Sequence, residues 1–475
     1  MKWAIKVMCT FGLLFLSMIV VSANATAQTF RGTILGTVID QSGAAIPGAQ
    51  VVVKNQGTGT TRTTSSGDAG TYQVPELPVG QYSVTVTKEG FESVTLGDVE
   101  VRVAGERRVD VTLKPGRVES RVEVRAEVPM VTTTEDTLGG TIQARQVDNL
   151  PVNGRDYTKL IFMALGVTGS PDQMTDSPGS FGEVSVNGAR GRSDNYLLDG
   201  TDMNDGYRND PTINQAGVFG TPATILPVDA IAELAVLSNF APEYGRNAGA
   251  VINIVTKSGT NTLHGTAAEF FRDTAFDARN FFNDVQATTG ILPPKDAFHN
   301  SQYGGSLGGP IVKNKTFFFV DYDGQRESGG LASQACVPSS ADLLTATAAI
   351  GGSGMINPVI AGLLKNNPWP STSVSDANCP NITTSNPFRN RISSAIAKID
   401  HNFNEKNLLT GRYYFGNSDQ NFPLSLVAGG ALPGYNTLTP TRINLVSLSY
   451  VRVLSSTQVN EVRFGYNRFR ETFFP

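Results

Sequence analysis

The sequence predicts a mainly β protein built from three successive parts. Glycine supplies 49 of the 475 residues and charged residues 17%, which is more glycine and less charge than average soluble domains have. Apolar and polar residues alternate over many short runs that end at Gly, Pro, Asn or Ser, the pattern of half-buried strands. The net charge is only -4, so the composition gives no reason to expect a nucleic-acid partner.

The N-terminus has the organisation of an export signal. Lys2 and Lys6 precede the apolar stretch 11–21, and Ala-Thr-Ala at 25–27 forms a small-residue cleavage site. The apolar stretch is too short for a membrane-spanning helix. We therefore expect residues 1–27 to be a signal peptide that takes no part in the fold.

Two cysteines, Cys336 and Cys379, remain in the exported chain. Their number suggests a disulfide across a long loop, although spacing alone does not define the pairing. The three histidines form no H-E-x-x-H or H-x-x-E motif, and the chain has no Walker A, G-x-S-x-G or C-x-x-C motif. We therefore predict no metal site, no cofactor and no catalytic residues, and we expect a protein that is not an enzyme.

Residues 28–115 predict a β-sandwich of short strands. Turn signals such as Pro47-Gly48 separate alternating runs. The apolar positions expected to share a core are Tyr82, Val84, Val86, Val99, Val101, Val103, Val109, Val111 and Leu113. The segments "GTVIDQSGAAIPGAQV", "GDAGTYQV" and "LPVGQYSVTVTKEGF" resemble the carboxypeptidase regulatory-like domain, a transthyretin-like sandwich grouped with carbohydrate-binding-like folds. Ligand binding and a spacer or docking role both remain open for it.

A linker, residues 116–137, follows and contains "RVEVRAEVPM". Val122, Val124 and Ala126 alternate with charged residues as in a strand. Pro115-Gly116 precedes the run and Pro129 closes it, so no turn pairs it with a neighbour. The sequence therefore predicts a strand without a partner inside the chain, with an edge strand of the sandwich or a plain linker as the alternatives.

Residues 138–259 mix helical and strand patterns. Apolar spacing predicts a helix around Leu160 and Ile161, a short amphipathic helix through Ile231 and Leu234, and a strand over residues 250–257. The segments "NLPVNGRDY", "VNGARGRSDNYLLDG" and "EYGRNAGAVINIVTKSGTN", in this order, are similar to the plug domain of TonB-dependent outer-membrane receptors. The preceding sandwich narrows the resemblance to the Oar-like subgroup.

The polar loop "DGTDMNDGYRND" has two interpretations. Asp199 and Asp210 lie among several oxygen donors, but their spacing does not fit an EF-hand. A solvated plug apex is the expected state, and the resemblance implies that such an apex can touch substrate. The candidate substrate-facing residues are Asp202, Asn204, Asp205, Tyr207 and Arg208.

Residues 260–475 predict about seven strands of a transmembrane β-barrel. Hairpins turn at Lys313–Lys315, Asn404–Asn407 and Leu454–Thr457, and one face is apolar while the other is polar, as a membrane barrel requires. The excursion from 326 to 390 holds both cysteines and is expected to face outside. A soluble sandwich would show the same alternation, but the plug-like segment before it favours the barrel.

The number of strands predicts an incomplete barrel. A plug-filled transporter barrel has about 22 strands. At about 10 residues each, these need about 220 residues before any loop is counted, which residues 260–475 do not supply. The expectation from the sequence is therefore an N-terminal fragment or a truncated gene product.

The resemblance implies a function and a set of partners. It implies an outer-membrane receptor of a Gram-negative bacterium that takes up an iron chelate, cobalamin or an oligosaccharide, with TonB and outer-membrane lipid as partners. Alternatives are an adhesion or assembly scaffold and a carbohydrate-binding surface protein. The short strand before the plug is the candidate TonB box, which binds by adding to a sheet of its partner. Its residues are Arg121, Val122, Glu123, Val124, Arg125 and Ala126.

Overall fold

The computed structural model contains three packed bodies: a sandwich, a mixed α/β plug and a sheet of long strands. It describes residues 30–116, 121–125, 139–150, 155–169, 184–207, 209–214, 224–238, 244, 248–278, 295, 297–366, 371–374, 381–423 and 436–474. The expected signal peptide lies outside these residues. No helix within these ranges combines the length and apolarity needed to cross a membrane.

The sandwich consists of two sheets, ordered β4-β1-β7, with β8 also paired to β1, and β3-β2-β5-β6-β9. Its strands are β1 (Gly32–Asp40), β2 (Gln50–Asn55), β3 (Thr61–Ser65), β4 (Thr71–Leu77), β5 (Gly80–Thr87), β6 (Ser93–Val101), β7 (Glu106–Arg108), β8 (Val111–Leu113) and β9 (Arg121–Arg125). The predicted alternation is confirmed on β5, where Tyr82, Val84 and Val86 are buried in the core between the sheets.

The expectation that the strand before the plug lacks a partner in the chain is wrong. β9 pairs in parallel with β6, from Ser93–Arg121 to Gly97–Arg125. A parallel partner is joined by a crossover and not by a tight turn. Here the crossover passes through β7 and β8 in the opposite sheet, which is why no turn signal beside the strand revealed the pairing.

The plug contains one five-stranded sheet in the order β10-β15-β16-β13-β14 and a two-stranded sheet of β11 and β12. Its elements are β10 (Gly139–Gln143), α1 (Ala144–Asn149), β11 (Val167–Gly169), β12 (Val184–Val186), β13 (Asn195–Leu198), β14 (Thr201–Asp202), β15 (Ile231–Leu237) and β16 (Val251–Thr256), with 3₁₀ helices at Tyr157–Met163, Gly191–Ser193 and Val228–Ala230. The strand expected at 250–257 is β16, and the helix expected near Leu160 is a 3₁₀ helix.

The amphipathic helix predicted through Ile231 and Leu234 is wrong, because these residues lie in strand β15. Neighbouring strands pair with both of its edges, and residues on both faces are buried. A strand buried on both faces shows no alternation of apolar and polar residues. The spacing of its apolar residues therefore resembles the spacing in an amphipathic helix.

The third body is one antiparallel sheet in which seven strands pair in chain order. Its elements are β17 (His264–Asp273), β18 (Phe298–Val312), β19 (Thr316–Ala335), α2 (Ser340–Ala349), a 3₁₀ helix (Ser353–Met355), α3 (Pro358–Asn366), β20 (Ile382–Asn404), β21 (Asn407–Pro423), β22 (Asn436–Val453) and β23 (Val459–Glu471). The three predicted short turns are confirmed. The excursion is shorter than expected, because β19 and β20 continue to Ala335 and from Ile382.

The two faces of this sheet differ as a membrane barrel requires. On the outer face, Leu448, Phe464 and Tyr466 are about half exposed, whereas inward Ser447 and Ser449 are buried. The plug packs on the inner face, since one apolar cluster joins plug residues to side chains of β19 to β22. We call this inner face, where it meets the plug, the wall.

Candidate functional site

A two-residue turn aims one carboxylate of the plug at the wall. Asp199 and Gly200 have φ values of 45° and 70° and lie between the paired residues Leu198 and Thr201. An Asp-Gly loop with positive φ at both positions is the favoured connection of a tight hairpin. The turn between β13 and β14 therefore fixes the position of the Asp199 side chain.

Asp199 forms a buried ion cluster with two wall cations. Its Oδ2 lies 2.8 Å from Nη1 of Arg412 and 3.8 Å from Nζ of Lys398. The Thr256 hydroxyl donates to the same oxygen over 2.7 Å, and the Thr256 N–H donates to Oδ1 over 2.8 Å. Lys398 also donates to the Thr256 carbonyl over 3.0 Å. Plug strand β16 and wall strands β20 and β21 thus meet at one carboxylate.

The cluster keeps Asp199 ionised. Burial acts to raise the pKa of this carboxyl, but the Lys398 and Arg412 cations and the Thr256 hydrogen bonds outweigh it, so the pKa lies below its usual value. A buried carboxylate with two cations close by is costly to separate from them. The cluster therefore anchors the plug to the wall.

Further contacts tie the same side of the plug to β20, β21, β22 and β23. Two side chains of β23 contact the plug, and Asn467 is farther than Arg463 from the turn between β22 and β23. Arg463 donates to the Gly200 carbonyl, and Asn467 donates to the Thr212 hydroxyl over 3.4 Å. Additional hydrogen bonds join Thr201 to Ser447 (2.7 Å), Tyr414 to the Ile225 carbonyl (2.8 Å) and Ile225 N–H to Ser394 (3.3 Å). This part of the wall is matched to the plug by direct polar contacts.

The predicted substrate-facing loop is held by its own side chains. Asp202 accepts from the Asn204 N–H over 2.8 Å, and Asp205 accepts from the Tyr207 N–H over 2.7 Å. Asn204 is buried and accepts from the Tyr196 N–H over 2.7 Å. The Tyr207 side chain is 94% exposed, and Arg208 lies outside the described residues. Contact of this loop with substrate stays a prediction.

The candidate TonB box is strand β9 for Arg121 to Arg125, whereas Ala126 lies outside the described residues. β6 pairs with one edge of β9, and no described strand pairs with the other edge. A free edge presents backbone N–H and C=O groups to a partner. Binding of TonB to this segment stays a prediction.

The sandwich contacts both the plug and the short-turn end of the seven-stranded sheet. Phe30 and Val103 pack with Leu237 and Val251 of the plug sheet. Other hydrogen bonds join Thr61 to Glu405 (2.8 Å), Arg31 to Thr410 (3.2 Å) and Asn261 to the carbonyls of Gly57 (2.9 Å) and Thr58 (2.6 Å). The sandwich thereby covers an apolar face of the plug sheet.

We expect Glu233 of the plug to make this contact pH-dependent. Its Oε2 accepts from the Val103 N–H over 2.9 Å. Burial raises the pKa of the carboxyl to about 7, although the Val103 N–H and Arg102 oppose the rise. Because burial in the folded, docked chain raises this pKa above 4.5, that form binds the proton more tightly than the unfolded chain does. The stabilisation is present below about pH 4.5 and is lost as the pH rises through about 7.

We expect Glu233→Gln to remove this pH dependence. The amide cannot ionise but keeps an oxygen that accepts from Val103. Hydrogen exchange of the Val103 amide, measured from pH 5 to 8 and corrected for intrinsic rates, should show protection that falls with pH in the wild type and stays flat in the variant. Parallel profiles for the two proteins would show that Glu233 does not control docking.

Cys336 is disulfide-bonded. Cys379, the other cysteine of the predicted pair, lies outside the described residues. Cys336 directly follows β19, so the bond lies at the end of the sheet opposite the short turns. The pairing of Cys336 with Cys379 stays a prediction.

Sequence reasoning missed the role of Asp199 and did not single out Lys398 or Arg412. Asp199 appeared only as one of several oxygen donors in a polar loop. The Asp-Gly hairpin signal was available for Asp199. Lys398 and Arg412 alternate with apolar residues on their strands, so a charge on the inward face was the available signal for both.

Two family models match the chain. The outer membrane beta barrel domain matches residues 255–475, and the carboxypeptidase regulatory-like domain matches residues 33–114. Among curated proteins, the chain is 28% identical over 309 residues to the TonB-dependent transporter Oar of Myxococcus xanthus, covering 63% of this chain and 27% of the relative. It is 27% identical over 288 residues to the TonB-dependent receptor P39 of Formosa agariphila, covering 58% and 25%. The chain thus spans about a quarter of the length of these relatives.

The solved structures that match share little sequence with the chain. The ferric enterobactin receptor PfeA of Pseudomonas aeruginosa, a mutant in complex with enterobactin, has a TM-score of 0.44 and 13% identity, covering 71% of this chain and 42% of that one. The outer-membrane transporter YddB of Escherichia coli has a TM-score of 0.42 and 14% identity, covering 67% and 37%.

A plug packed on the polar face of a long-stranded sheet whose other face is apolar defines an outer-membrane protein of the plugged β-barrel class. Within this class, the chain is a homologue of the TonB-dependent outer-membrane receptors, of the Oar-like kind that carries an N-terminal carboxypeptidase regulatory-like domain.

The apolar outer face predicts a test of membrane contact. We expect Leu448→Arg to destabilise the assembled barrel by about 2–4 kcal/mol, because it puts a charge on the lipid-facing side. Urea unfolding of the full-length receptor in lipid vesicles measures the loss, and Leu448→Phe, which stays apolar, should change little. Equal stability of the two variants would mean that this face does not contact lipid.

Proposed function

We propose that the protein takes up a solute across the outer membrane, with the plug as its gate and TonB as the partner that moves the plug. The observation that supports this is the buried Asp199 cluster, which fixes the plug on the polar face of the sheet. Separating such a cluster costs free energy. Opening the gate therefore needs work from outside the barrel.

β9 is the proposed site where TonB acts. A strand of TonB would add to the edge of β9 that is not paired with β6, so β9 need not leave the sandwich first. Each backbone hydrogen bond contributes about 0.5–1.5 kcal/mol net, and a few of them would give reversible binding of TonB. The linker that follows β9 leads to β10, an edge strand of the plug sheet, which would transmit the force.

The proposed solutes are an iron chelate, cobalamin or an oligosaccharide. The predicted apex loop would meet the solute. This is supported by the contacts of Gly200 and Thr212 with β23, which lie progressively farther from the short turn between β22 and β23. We further propose the division of the chain at 28–115, 116–137, 138–259 and 260–475, with the sandwich serving as a docked cover of the plug sheet.

Uptake by cells carrying the full-length gene tests the function. Cells with and without TonB are supplied with radiolabelled cobalamin, ferric siderophores and labelled oligosaccharides. Accumulation of one of these solutes that depends on both the receptor gene and TonB is the expected result. No receptor-dependent uptake, together with a loss of cell adhesion when the gene is deleted, would favour a scaffold instead.

A further inference from the structure

Several buried side-chain atoms of the wall form no hydrogen bond with the described residues. On β20 to β23 such atoms lie among the direct polar contacts with the plug described above. Others lie on β18 and β19. Both carboxylate oxygens of Asp321 are among them, as are Nε2 of Gln302 and Oε1 of Gln325. We call Gln302, Asp321, Asp323 and Gln325 the acidic wall patch.

The patch is one continuous surface. Gln302 is paired with Gln325, and Gly304 is paired with Asp323, across β18 and β19. A Cβ atom at Gly304 would lie 1.8 Å from Oδ1 of Asp323, so glycine leaves the space that this carboxyl occupies. Asp321 and Asp323 are 4% and 7% exposed. The plug covers them.

Arg155, a plug cation that acts electrostatically on both aspartates, is engaged elsewhere. Arg155 lies 3.2 Å from Asp229 and stacks over the Phe270 ring. Asp229 and Lys257 of the plug also lie close enough to act electrostatically on Asp321, so the carboxylates near the patch outnumber the cations. No described group of three or more His, Cys, Asp or Glu residues is placed to hold a metal ion, which argues against a bare metal as the ligand.

Buried polar atoms without hydrogen bonds cost free energy. Such a cost is recovered if the groups are hydrated or bind a ligand in a second state of the protein. In the closed state the 3₁₀ helix Val228–Ala230 packs against β18 and β19. Its departure would open the patch to water.

We propose that the acidic wall patch is a binding surface, exposed when the plug moves, for a solute that carries a protonated amine or another cationic group. The inference rests on the proposed uptake function, because the plug must move for the patch to be reached. Asp321 and Asp323 attract the cation, and Gln302 and Gln325 supply neutral hydrogen-bonding groups beside them. Solutes whose accessible groups are all anionic are repelled.

Charged thiol reagents test the patch in cells that express the full-length receptor. In Gln302→Cys, the rates of reaction with trimethylammonium-ethyl and sulfonato-ethyl methanethiosulfonate are each divided by the rate for free cysteine. Background is measured on the receptor without the added cysteine. We expect labelling only in energised cells with TonB, and a preference of about tenfold for the cationic reagent, since local charge focuses ions to this extent.

Asp321→Asn with Asp323→Asn should abolish this preference, and Gln325→Glu should increase it. The second variant keeps the test valid if the first fails to assemble. Thr439→Cys, on the inward face of β22, is the control and should show no preference. Equal rates of the two reagents at Gln302→Cys, or a preference that neither variant changes, would contradict the proposal that the acidic wall patch binds cationic groups. A cation preference that persists without TonB would instead overturn the proposed function.

Discussion

Replacing Asp199 with alanine is expected to loosen the plug from the wall by about 3–5 kcal/mol, because it leaves the buried cations Arg412 and Lys398 without their carboxylate. Hydrogen exchange of the amides of β13 and β16 in the purified full-length receptor measures the free energy of this opening. A fall in protection across both strands is the expected result.

The exposed pair Arg108–Asp110 provides a matched control. Its nitrogen and oxygen are also 2.8 Å apart, but both side chains are nearly half exposed. Solvent-exposed ion pairs contribute about 0–1 kcal/mol, so Arg108→Ala should leave the exchange of β13 and β16 unchanged. Similar losses in the two variants would mean that burial gives the Asp199 cluster no special strength.

Val124→Pro is expected to abolish TonB-dependent uptake. Proline removes the N–H of residue 124 and fixes its φ, so it cannot donate to a strand that pairs with β9. Uptake and binding of purified TonB to the full-length receptor are measured together. Loss of both, with normal amounts of receptor in the outer membrane, is the expected result.

Val124→Thr is the control, because it keeps the N–H and the β-branched shape of the side chain. The N–H of residue 124 could instead donate to β6, in which case proline would release β9 from the sandwich. Hydrogen exchange of β6 detects this: faster exchange there with unchanged TonB binding would make β9 an edge strand of the sandwich and place the TonB box elsewhere.

Local patterns predicted much of the fold. The alternation on β5 identified its buried face, and the turns around Asn314 and between Asn404 and Asn407 identified hairpins. These features depend on residues close in sequence: side chains alternate between the two faces of a strand, and a tight turn is encoded by the few residues within it. The sequence failed at β15, where burial on both faces removed the alternation that distinguishes a strand from a helix.

The sequence by itself determined that this chain is mainly β, where the long strands turn and which of their faces is apolar. Only the tertiary structure decided that β9 joins β6 and that Asp199 meets Arg412, two residues separated by 213 positions. The reason is physical. A period or a turn is a property of neighbouring residues, whereas a parallel pairing or a buried ion cluster exists only after the folded chain brings distant residues together and removes water from between them.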